Sequence, residues 1–315
     1  MSEPRTARLD VGSPGSDRER KHAAAVRHEV FVRGQGVPPE LEADGLDLAA
    51  EHVVARLDGA VVGTGRLVDS AVTTDLRPGE SKVQRMAVLP TARGRGVGLA
   101  LLRALEARAR ERGATTVVLS AQVAASGFYE KAGYAAVGPE FLEAGIRHVP
   151  MRRALPVVRD LRESDSAALV RVIGGCFAEY PGCVLDLNDL DRWMSAPRSA
   201  YDSWGGRMWV VELDGEVVAC GGVRPLGSGA AELKSLYVAA PARRRGIAGE
   251  LVNLAESQAR AWGASRVELW SDTRFLDAHR LYRRLGYRQL AETRELHDLS
   301  ATTEYAFRKD LAAGP

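Results

Sequence analysis

Two stretches of the sequence decide the fold, because the second repeats the first. The first is Lys82-Val-Gln-Arg-Met-Ala-Val88, followed closely by Arg93-Gly-Arg-Gly-Val-Gly98. The second is Glu232-Leu-Lys-Ser-Leu-Tyr-Val238, followed by Arg243-Arg-Arg-Gly-Ile-Ala248, 150 positions further along the chain. Solenoid repeats run about 20–50 residues, so a period this long indicates domain duplication or fusion and not a solenoid.

A later motif repeats in the same order. Phe128-Tyr-Glu-Lys-Ala-Gly-Tyr134 is matched by Leu281-Tyr-Arg-Arg-Leu-Gly-Tyr287. A chain of 315 residues is also long enough for two domains of about 100–200 residues each. Since a new apolar run begins directly after Pro156, we predict two domains, residues 1–155 and 156–315.

The elements around these motifs also occur twice. An Asp-Gly pair separates two strand-like runs at Asp58-Gly59 and again at Asp214-Gly215, which predicts a hairpin in each half. The apolar residues after each glycine loop recur at helical spacing until Gly113 and Gly263, where glycine is typical of a helix end. Near the N-terminus, Ala7 to Val11 alternates like a strand, and Ser16-Asp-Arg-Glu19 predicts a helix start with a capping box.

Composition excludes several classes of function. Lys and Arg number 43 and Asp and Glu 41, so the charge of +2 gives no reason to expect nucleic-acid or anionic-membrane binding. The three cysteines show no paired spacing, which favours a reducing compartment. No apolar run approaches the ~18 residues that span a bilayer, so we predict a cytoplasmic protein. The six histidines form no H-E-x-x-H or Cys/His pattern, so we predict no metal site.

The glycine loops indicate anion binding. In each copy a strand is followed by Arg-x-x-Gly-x-Gly/Ala and then by an amphipathic helix, where backbone N–H groups and the helix N-terminus together attract a diphosphate. A Walker A loop would require Gly-Lys-Ser/Thr, and a dinucleotide fingerprint from Gly94 would require glycine at Leu99. One such loop could equally be a basic helix cap, but two copies in matching contexts favour a phosphate site.

Strand, loop, helix and tyrosine motif together resemble the GNAT acetyltransferases, over nearly the whole chain. The resemblance implies an α/β (α+β) fold in which each of two tandem domains has a mixed, mostly antiparallel sheet flanked by helices. The first half also resembles the ElaA/YjcF branch, through Arg27-His-Glu-Val-Phe-Val32, Gly36-Val-Pro38 and Glu143-Ala-Gly-Ile-Arg-His-Val-Pro-Met151.

The resemblance assigns roles to residues in both copies, with acetyl-CoA as the cosubstrate and no metal. The strand segments whose backbone would hold the pantetheine arm and polarise the thioester carbonyl are Met86, Ala87, Val88, Leu236, Tyr237 and Val238. The loops that would hold the pyrophosphate are Arg93, Gly94, Arg95, Gly96, Val97 and Gly98 in the first copy and Arg243, Arg244, Arg245, Gly246, Ile247 and Ala248 in the second. Tyr129 and Tyr282 match the tyrosine that protonates the departing thiolate; a plain packing role for them stays open. Both loops are expected to hold coenzyme.

Two positions differ between the copies. An acceptor amine must lose a proton before it can attack, and in this family a carboxylate on the central strand often takes it. Glu232 matches that position, as a base or as a surface residue at the strand end, whereas the first copy has Lys82, with Glu80 nearby. The family commonly has asparagine seven residues before the tyrosine, where Gln122 could substitute and Phe275 could not.

The acceptor is less evident. Glu40, Glu42, Asp44 and Asp47 form an acidic stretch that could attract a cationic amine or could be a solvated loop. In the second copy Trp193, Tyr201 and Trp204 could line an acceptor pocket or cover the sheet.

From these observations we predict an N-acetyltransferase that moves an acetyl group from acetyl-CoA to a primary amine by direct attack in a ternary complex. One domain is catalytic and the other degenerate, or both are active. The acceptor is a small-molecule amine or a peptide N-terminus, and the protein is a monomer or homodimer. The alternative is a non-catalytic protein that binds or senses acyl-CoA, which would need the loops but not the tyrosines.

Overall fold

The chain folds around two separate β-sheets in a computed structural model that describes residues 8–311. It divides into unit 1, Met1–Leu155, and unit 2, Pro156–Pro315. Each sheet is mixed and mostly antiparallel and carries helices on both faces, as the resemblance implied.

Unit 1 has a sheet in the order β1-β2-β3-β4-β5-β8-β6, with β7 paired to β8. Its strands are β1 (Leu9–Gly12), β2 (Glu51–Leu57), β3 (Ala60–Asp69), β4 (Glu80–Val88), β5 (Thr116–Gln122), β6 (Ala135–Ala136), β7 (Phe141–Glu143) and β8 (Ile146–Ala154). Its α-helices are α1 (Asp17–Arg27), α2 (Pro39–Glu42), α3 (Val97–Glu111) and α4 (Ser126–Lys131). A π-helical segment, His28–Arg33, continues α1 directly.

Unit 2 has a sheet in the order β14-β15-β13-β12-β11-β10-β9. Its strands are β9 (Val157–Asp160), β10 (Arg207–Leu213), β11 (Glu216–Gly227), β12 (Ala230–Val238), β13 (Arg266–Asp272), β14 (Arg288–Glu295) and β15 (Thr303–Asp310). Its α-helices are α5 (Ser166–Phe177), α6 (Pro197–Ser203), α7 (Ile247–Ala261) and α8 (Leu276–Arg284).

The local signals in the sequence form the elements they indicate. Both Asp-Gly turns adopt positive φ at both residues, 49° and 85° at Asp58 and Gly59, so the hairpins are confirmed. Ser16 caps α1 by accepting the Glu19 N–H at 3.3 Å. The reciprocal half of the capping box is wrong, because the Glu19 carboxylate accepts from Gly15 N–H at 2.6 Å instead of from Ser16. The first strand begins at Leu9, and Ala7 lies outside the described residues.

Each sheet separates two apolar layers. In unit 2, Val211 packs with α7, whereas the preceding residue, Val210, packs with α5 and α6. Consecutive residues of a strand point to opposite faces, so these helices cover opposite sides of the sheet. Unit 1 has the same arrangement, with α3 packed on one face through Leu101, Leu102 and Leu105, and α1 on the other through Val26.

None of the helices in the part of the chain from residue 8 to 311 is long and apolar enough to cross a membrane.

Candidate active site

The central strands of each unit separate. β4 and β5 are parallel and pair only from Glu80 with Thr116 to Lys82 with Val118, although both strands continue beyond these pairs. In unit 2, β12 and β13 pair only through Ala230, Ala231 and Glu232. Among the described strands, the later part of β4 and of β12 is therefore hydrogen-bonded on one side only. We call each opening the cleft of its unit.

A bulge precedes the end of each of these strands. The pairing register shifts across Arg85 in β4 and across Ser235 in β12, and both residues have positive φ, 53° and 56°. Beyond the bulge, Leu89 donates its N–H to the Val62 C=O at 2.9 Å. Because successive backbone groups of a strand point in opposite directions, the N–H and C=O of Val88 face the cleft. Ala239 bonds Val218 at 2.9 Å, which places Val238 in the same way.

The glycine loops lead from these strands to helix N-termini that no side chain caps. Gly94 and Gly96 have φ of 74° and 78°, and in unit 2 Arg244 and Gly246 repeat this conformation with 61° and 83°. Arginine at the first of these positions is strained, because a Cβ atom disfavours this region.

The first helical hydrogen bonds run from Ala100 to Gly96 (3.0 Å) and from Glu250 to Gly246 (3.1 Å). The N–H groups before them have no acceptor within their helix, and neither N-cap glycine supplies one. This arrangement fits a diphosphate, because several donors and about half a positive charge converge at one point.

The first arginine of each loop differs in its surroundings. Arg93 Nε donates to the Val88 C=O at 3.2 Å, and Arg243 Nε donates to the Val238 C=O at 2.9 Å. Arg243 also forms an ion pair with Glu179, at 2.6 Å and 2.5 Å. Its charge is therefore partly neutralised within unit 2.

Both candidate phenols lie on the short helix that follows the cleft. Tyr129 is partly buried on α4, and burial raises its pKa to about 12. The neighbouring Phe128 lies against the start of α3, 3.5 Å from where a Cβ on Gly98 would be. Tyr282 on α8 is only 6% exposed and packs against Phe307. Burial raises the pKa of Tyr282 as well, so both phenols carry their proton at neutral pH.

In unit 1 a pair of amides spans the end of the cleft. Gln35 and Gln122 exchange two hydrogen bonds, of 3.1 Å and 2.8 Å. Gln122 ends β5, and Gln35 follows the π-helical segment, whose Phe31 packs beside Ala87 and Leu89 at the end of β4. We call this pair the amide bridge. Its members can exchange their mutual bonds for bonds to a ligand.

In unit 2 aromatic rings occupy the corresponding place. Phe177 lies 5.7 Å from Tyr237 on β12 and 6.0 Å from Phe275, which follows β13. Tyr180 lies 4.7 Å from Phe275. We call these four residues the aromatic cluster. It connects the ends of the two diverging strands without the amides that unit 1 offers.

The central-strand base candidates are both paired. Glu232 is 5% exposed and lies inside β12, so the interpretation of a surface residue at the strand end is wrong. Its carboxylate accepts from Arg224 Nε at 2.6 Å. In unit 1, Lys82 forms an ion pair with Asp75 at 2.7 Å. Glu80 opens β4, at the paired end of the strand and away from the bulge.

The acidic stretch of unit 1 is largely an internal ionic network. Asp47 accepts from Arg27 at 2.8 Å and from Arg66 at 2.7 Å. Asp44 pairs with Arg66 and Arg85, and Glu42 pairs with Arg27. The Arg66 side chain is fully buried. Glu42, Asp44 and Asp47 thus hold the segment on the sheet, and the idea that it is a solvated loop is wrong for them.

The aromatics of unit 2 cover the sheet. Trp193, Tyr201 and Trp204 pack on one another with ring centres 5.2 to 6.2 Å apart, and Tyr201 is buried. The three cysteines are also buried and free. Between residues 8 and 311, no three His, Cys, Asp or Glu side chains are grouped so that they could hold a metal ion.

The sequence of this chain matches the GNAT acetyltransferases in both units. Residues 19–155 match the model of the acetyltransferase (GNAT) domain, and residues 178–287 match that of the acetyltransferase (GNAT) family. The chain therefore belongs to the GNAT acetyltransferases and contains two of their domains in tandem, and the fold implies an acyl-CoA cosubstrate.

Individual relatives resemble the N-terminal half. The uncharacterized N-acetyltransferase YjcF of Bacillus subtilis is 39% identical over 139 residues, which are 44% of this chain and 94% of the relative. The uncharacterized N-acetyltransferase YjgM of Escherichia coli is 35% identical over 147 residues, 43% of this chain and 83% of the relative. Among solved structures, an acyl-CoA N-acyltransferase from Pseudomonas aeruginosa is 34% identical, with a TM-score of 0.41, and covers 47% of this chain and 100% of its own.

Sequence reasoning missed several residues at the clefts. Gln35 and Glu179 follow the first helical stretch of their unit, and Phe177 is the last residue of α5. A signal for these residues exists, because Phe31 and Phe177 are each followed five residues later by a glycine with positive φ, Gly36 or Gly182. Arg85 at the bulge has no such signal.

Proposed function

We propose that this protein transfers an acetyl group from acetyl-CoA to a primary amine by direct attack in a ternary complex. The observation that carries this proposal is the meeting, in one place, of a strand edge open on one side, an uncapped helix N-terminus and a protonated phenol. Acetyl-CoA would supply an activated thioester. The acceptor would be a small-molecule amine or a peptide N-terminus.

Different residues of unit 1 bind the coenzyme, stabilise the developing negative charge and donate the proton. The loop from Arg93 to Gly98 and the start of α3 bind the pyrophosphate. The Val88 N–H faces the cleft and donates to the carbonyl oxygen on which negative charge develops, as an oxyanion site does. Tyr129 gives its proton to the departing sulfur, because a phenol that is neutral at pH 7 can donate without an unfavourable charge.

We further propose that unit 1 is the catalytic unit and unit 2 a degenerate copy. Three differences support this assignment: the amide bridge in unit 1 against the aromatic cluster in unit 2, the pairing of Arg243 with Glu179, and the deeper burial of Tyr282. The sequence predicted that both loops hold coenzyme, whereas we now propose that the loop of unit 1 does. The sequence also offered Glu232 as a base candidate in unit 2, and these three differences outweigh that candidate.

Thiol release from acetyl-CoA with a panel of amines tests both statements. We expect Tyr129→Phe to lower kcat by about 10²-fold or more while acetyl-CoA affinity persists, because only the proton donor is lost. Tyr282→Phe is the matched control and should leave kcat unchanged. Equal activity of both single variants and the double variant would contradict the role of the phenols. A chain that binds acetyl-CoA but turns over no amine would instead favour the sensing function.

A further inference from the structure

Unit 1 has no free base on its central strand. Lys82 is a cation engaged by Asp75, and Glu80 lies at the far, paired end of β4. An alkylammonium acceptor has no lone pair, so its proton must pass to another group before the nitrogen attacks.

His148 lies one strand away from the amide bridge. It is directly opposite Gln122 in the antiparallel pairing of β8 with β5. Side chains of directly opposed residues lie on the same face of a sheet. Leu119 and Ala121 of β5 pack in the core with α3, so Gln122 and His148 face the other side, where Gln35 lies.

The ring of His148 is held in the form that a base requires. Its Nδ1 lies 2.9 Å from the Ile146 C=O, which can only accept, so Nδ1 carries the hydrogen. In the neutral ring Nε2 then has the lone pair. The ring stacks on Phe141 with centres 5.9 Å apart and planes at 28°, which fixes its orientation. No described residue hydrogen-bonds to Nε2.

Few charged groups surround this imidazole. Its neighbours across β5 and β7, Gln122 and Phe141, are uncharged. The charged groups on the strands around it are Arg147, which pairs with Glu140, Arg152, which donates to Thr116, and Glu143 at the end of β7.

Unit 2 has a carboxylate at the same place in its sheet. Glu304 lies opposite Asp272 in the pairing of β15 with β13, as His148 lies opposite Gln122. Both carboxylates are neutralised, Glu304 by Arg294 at 2.5 Å and Asp272 by Arg274 at 2.6 Å. The free proton acceptor at this sheet position is therefore found in unit 1.

We propose that His148 is the general base of unit 1. This inference rests on the proposed function. The first proton of the alkylammonium passes to Nε2, directly or through one water, and the nitrogen then bonds to the acetyl carbon. As the carbon–sulfur bond breaks, the sulfur takes the proton of Tyr129, and the second nitrogen proton, lost as the amide forms, restores the Tyr129 phenol.

The pH dependence of kcat/KM tests the assignment in the full chain carrying Tyr282→Phe, so that only unit 1 can act. Two acceptor amines of different basicity are compared, because a limb that comes from titration of the acceptor moves with the amine and a limb that comes from the enzyme does not. We expect kcat/KM to fall on the acidic side along a limb that both amines share, because a protonated imidazole cannot accept the acceptor proton. His148→Gln should lower kcat/KM by about 10²-fold and remove this limb. His148→Glu should restore activity and move the limb to lower pH, because a carboxyl group is more acidic than an imidazolium.

Controls separate a chemical role from a structural one. His22→Gln, at an exposed position of α1, should leave the profile unchanged. Acetyl-CoA affinity and thermal unfolding should be the same in His148→Gln and its parent. If the glutamine variant folds poorly, the pH dependence of kcat/KM in His148→Glu tests whether residue 148 is the base. An active parent whose limb persists in both His148 variants would overturn the assignment and leave the proposed function intact. A parent inactive on every amine would contradict both.

Discussion

Asp47 shows how a single residue joins an acidic segment to the sheet beside the cleft. Burial alone would raise the pKa of its carboxyl, but hydrogen bonds from Arg27 and Arg66 outweigh burial and lower this pKa to about 2. Arg66 is fully buried, so its charge requires these partners. Asp47 therefore holds this part of the acidic segment to the sheet through two arginines.

We expect Asp47→Asn to lower the free energy of unfolding at pH 7 by about 1–2 kcal/mol, after allowing for the partial exposure of the carboxylate. A carboxyl whose pKa falls on folding stabilises the folded state above its unfolded pKa, near 3.8. This contribution is lost as the pH falls from about 4 to about 2. The difference between wild type and variant in denaturant unfolding should therefore shrink over that interval.

Asp17→Asn is the matched control, because Asp17 is exposed and its ion pair is with Arg20, one helical turn away. It should change stability by less than about 0.5 kcal/mol at every pH. A pH-independent loss for Asp47→Asn would show that the ionic network does not act through the charge of Asp47.

At the scale of elements, the bulge in β4 depends on a glycine of the neighbouring strand, β3. Gly65 lies opposite the bulge, and a Cβ at this position would be 2.7 Å from Met86 Sδ and 2.8 Å from Leu105 Cδ1. The absence of a side chain lets Met86 and α3 approach the sheet together. Gly221 occupies the same position in unit 2, where a Cβ would be 3.1 Å from Leu236.

We expect Gly65→Ala to lower the free energy of unfolding by about 1–3 kcal/mol, because the added methyl overpacks the contact between Met86 and Leu105. It should also weaken acetyl-CoA binding, since Met86 belongs to the strand segment that borders the cleft. Calorimetric unfolding and titration of the full chain measure the two effects. Gly12→Ala is the control, because nothing lies within 4 Å of its Cβ position and its φ is not positive. Equal stability of the two variants would contradict this view of the bulge.

The sequence predicts those parts of each unit that local chemistry determines. Asp58-Gly59 and Asp214-Gly215 specify their hairpins because few residue pairs tolerate two positive φ angles. The loop glycines and the helices after them follow from the same reasoning. Arg85 and Ser235 could not be predicted to have positive φ, because only the packing of neighbouring strands and helices forces them into it.

The sequence could not predict which side chains pair across neighbouring strands either. The sequence left open whether Glu232 is a base or a surface residue, because its partner, Arg224, lies eight positions earlier on the adjacent strand. The opposition of His148 and Gln122 depends on a register between strands 26 residues apart. Alternation along one strand gives no information about such pairs. The candidate base of unit 1 therefore required the three-dimensional arrangement.

At the scale of the whole molecule, the two units share a fold but differ in their clefts. Unit 1 combines two loop glycines, an amide bridge and an imidazole whose Nε2 bonds to no described residue. Unit 2 has Arg244 in a glycine conformation, Arg243 bound to Glu179, and the aromatic cluster at the end of its cleft. The two units share their sheets and loops, whereas the polar groups that we propose for binding and proton transfer lie in unit 1.

Counting coenzyme molecules per chain by isothermal titration with acetyl-CoA tests this asymmetry most directly. A carboxylate at the start of a helix stabilises it but repels a diphosphate, so Gly98→Glu and Ala248→Glu are matched variants of the two loops. We expect one acetyl-CoA bound tightly per chain, binding abolished by Gly98→Glu, and binding unchanged by Ala248→Glu. Two equivalent sites, or a single site lost in Ala248→Glu and retained in Gly98→Glu, would contradict the assignment of catalysis to unit 1.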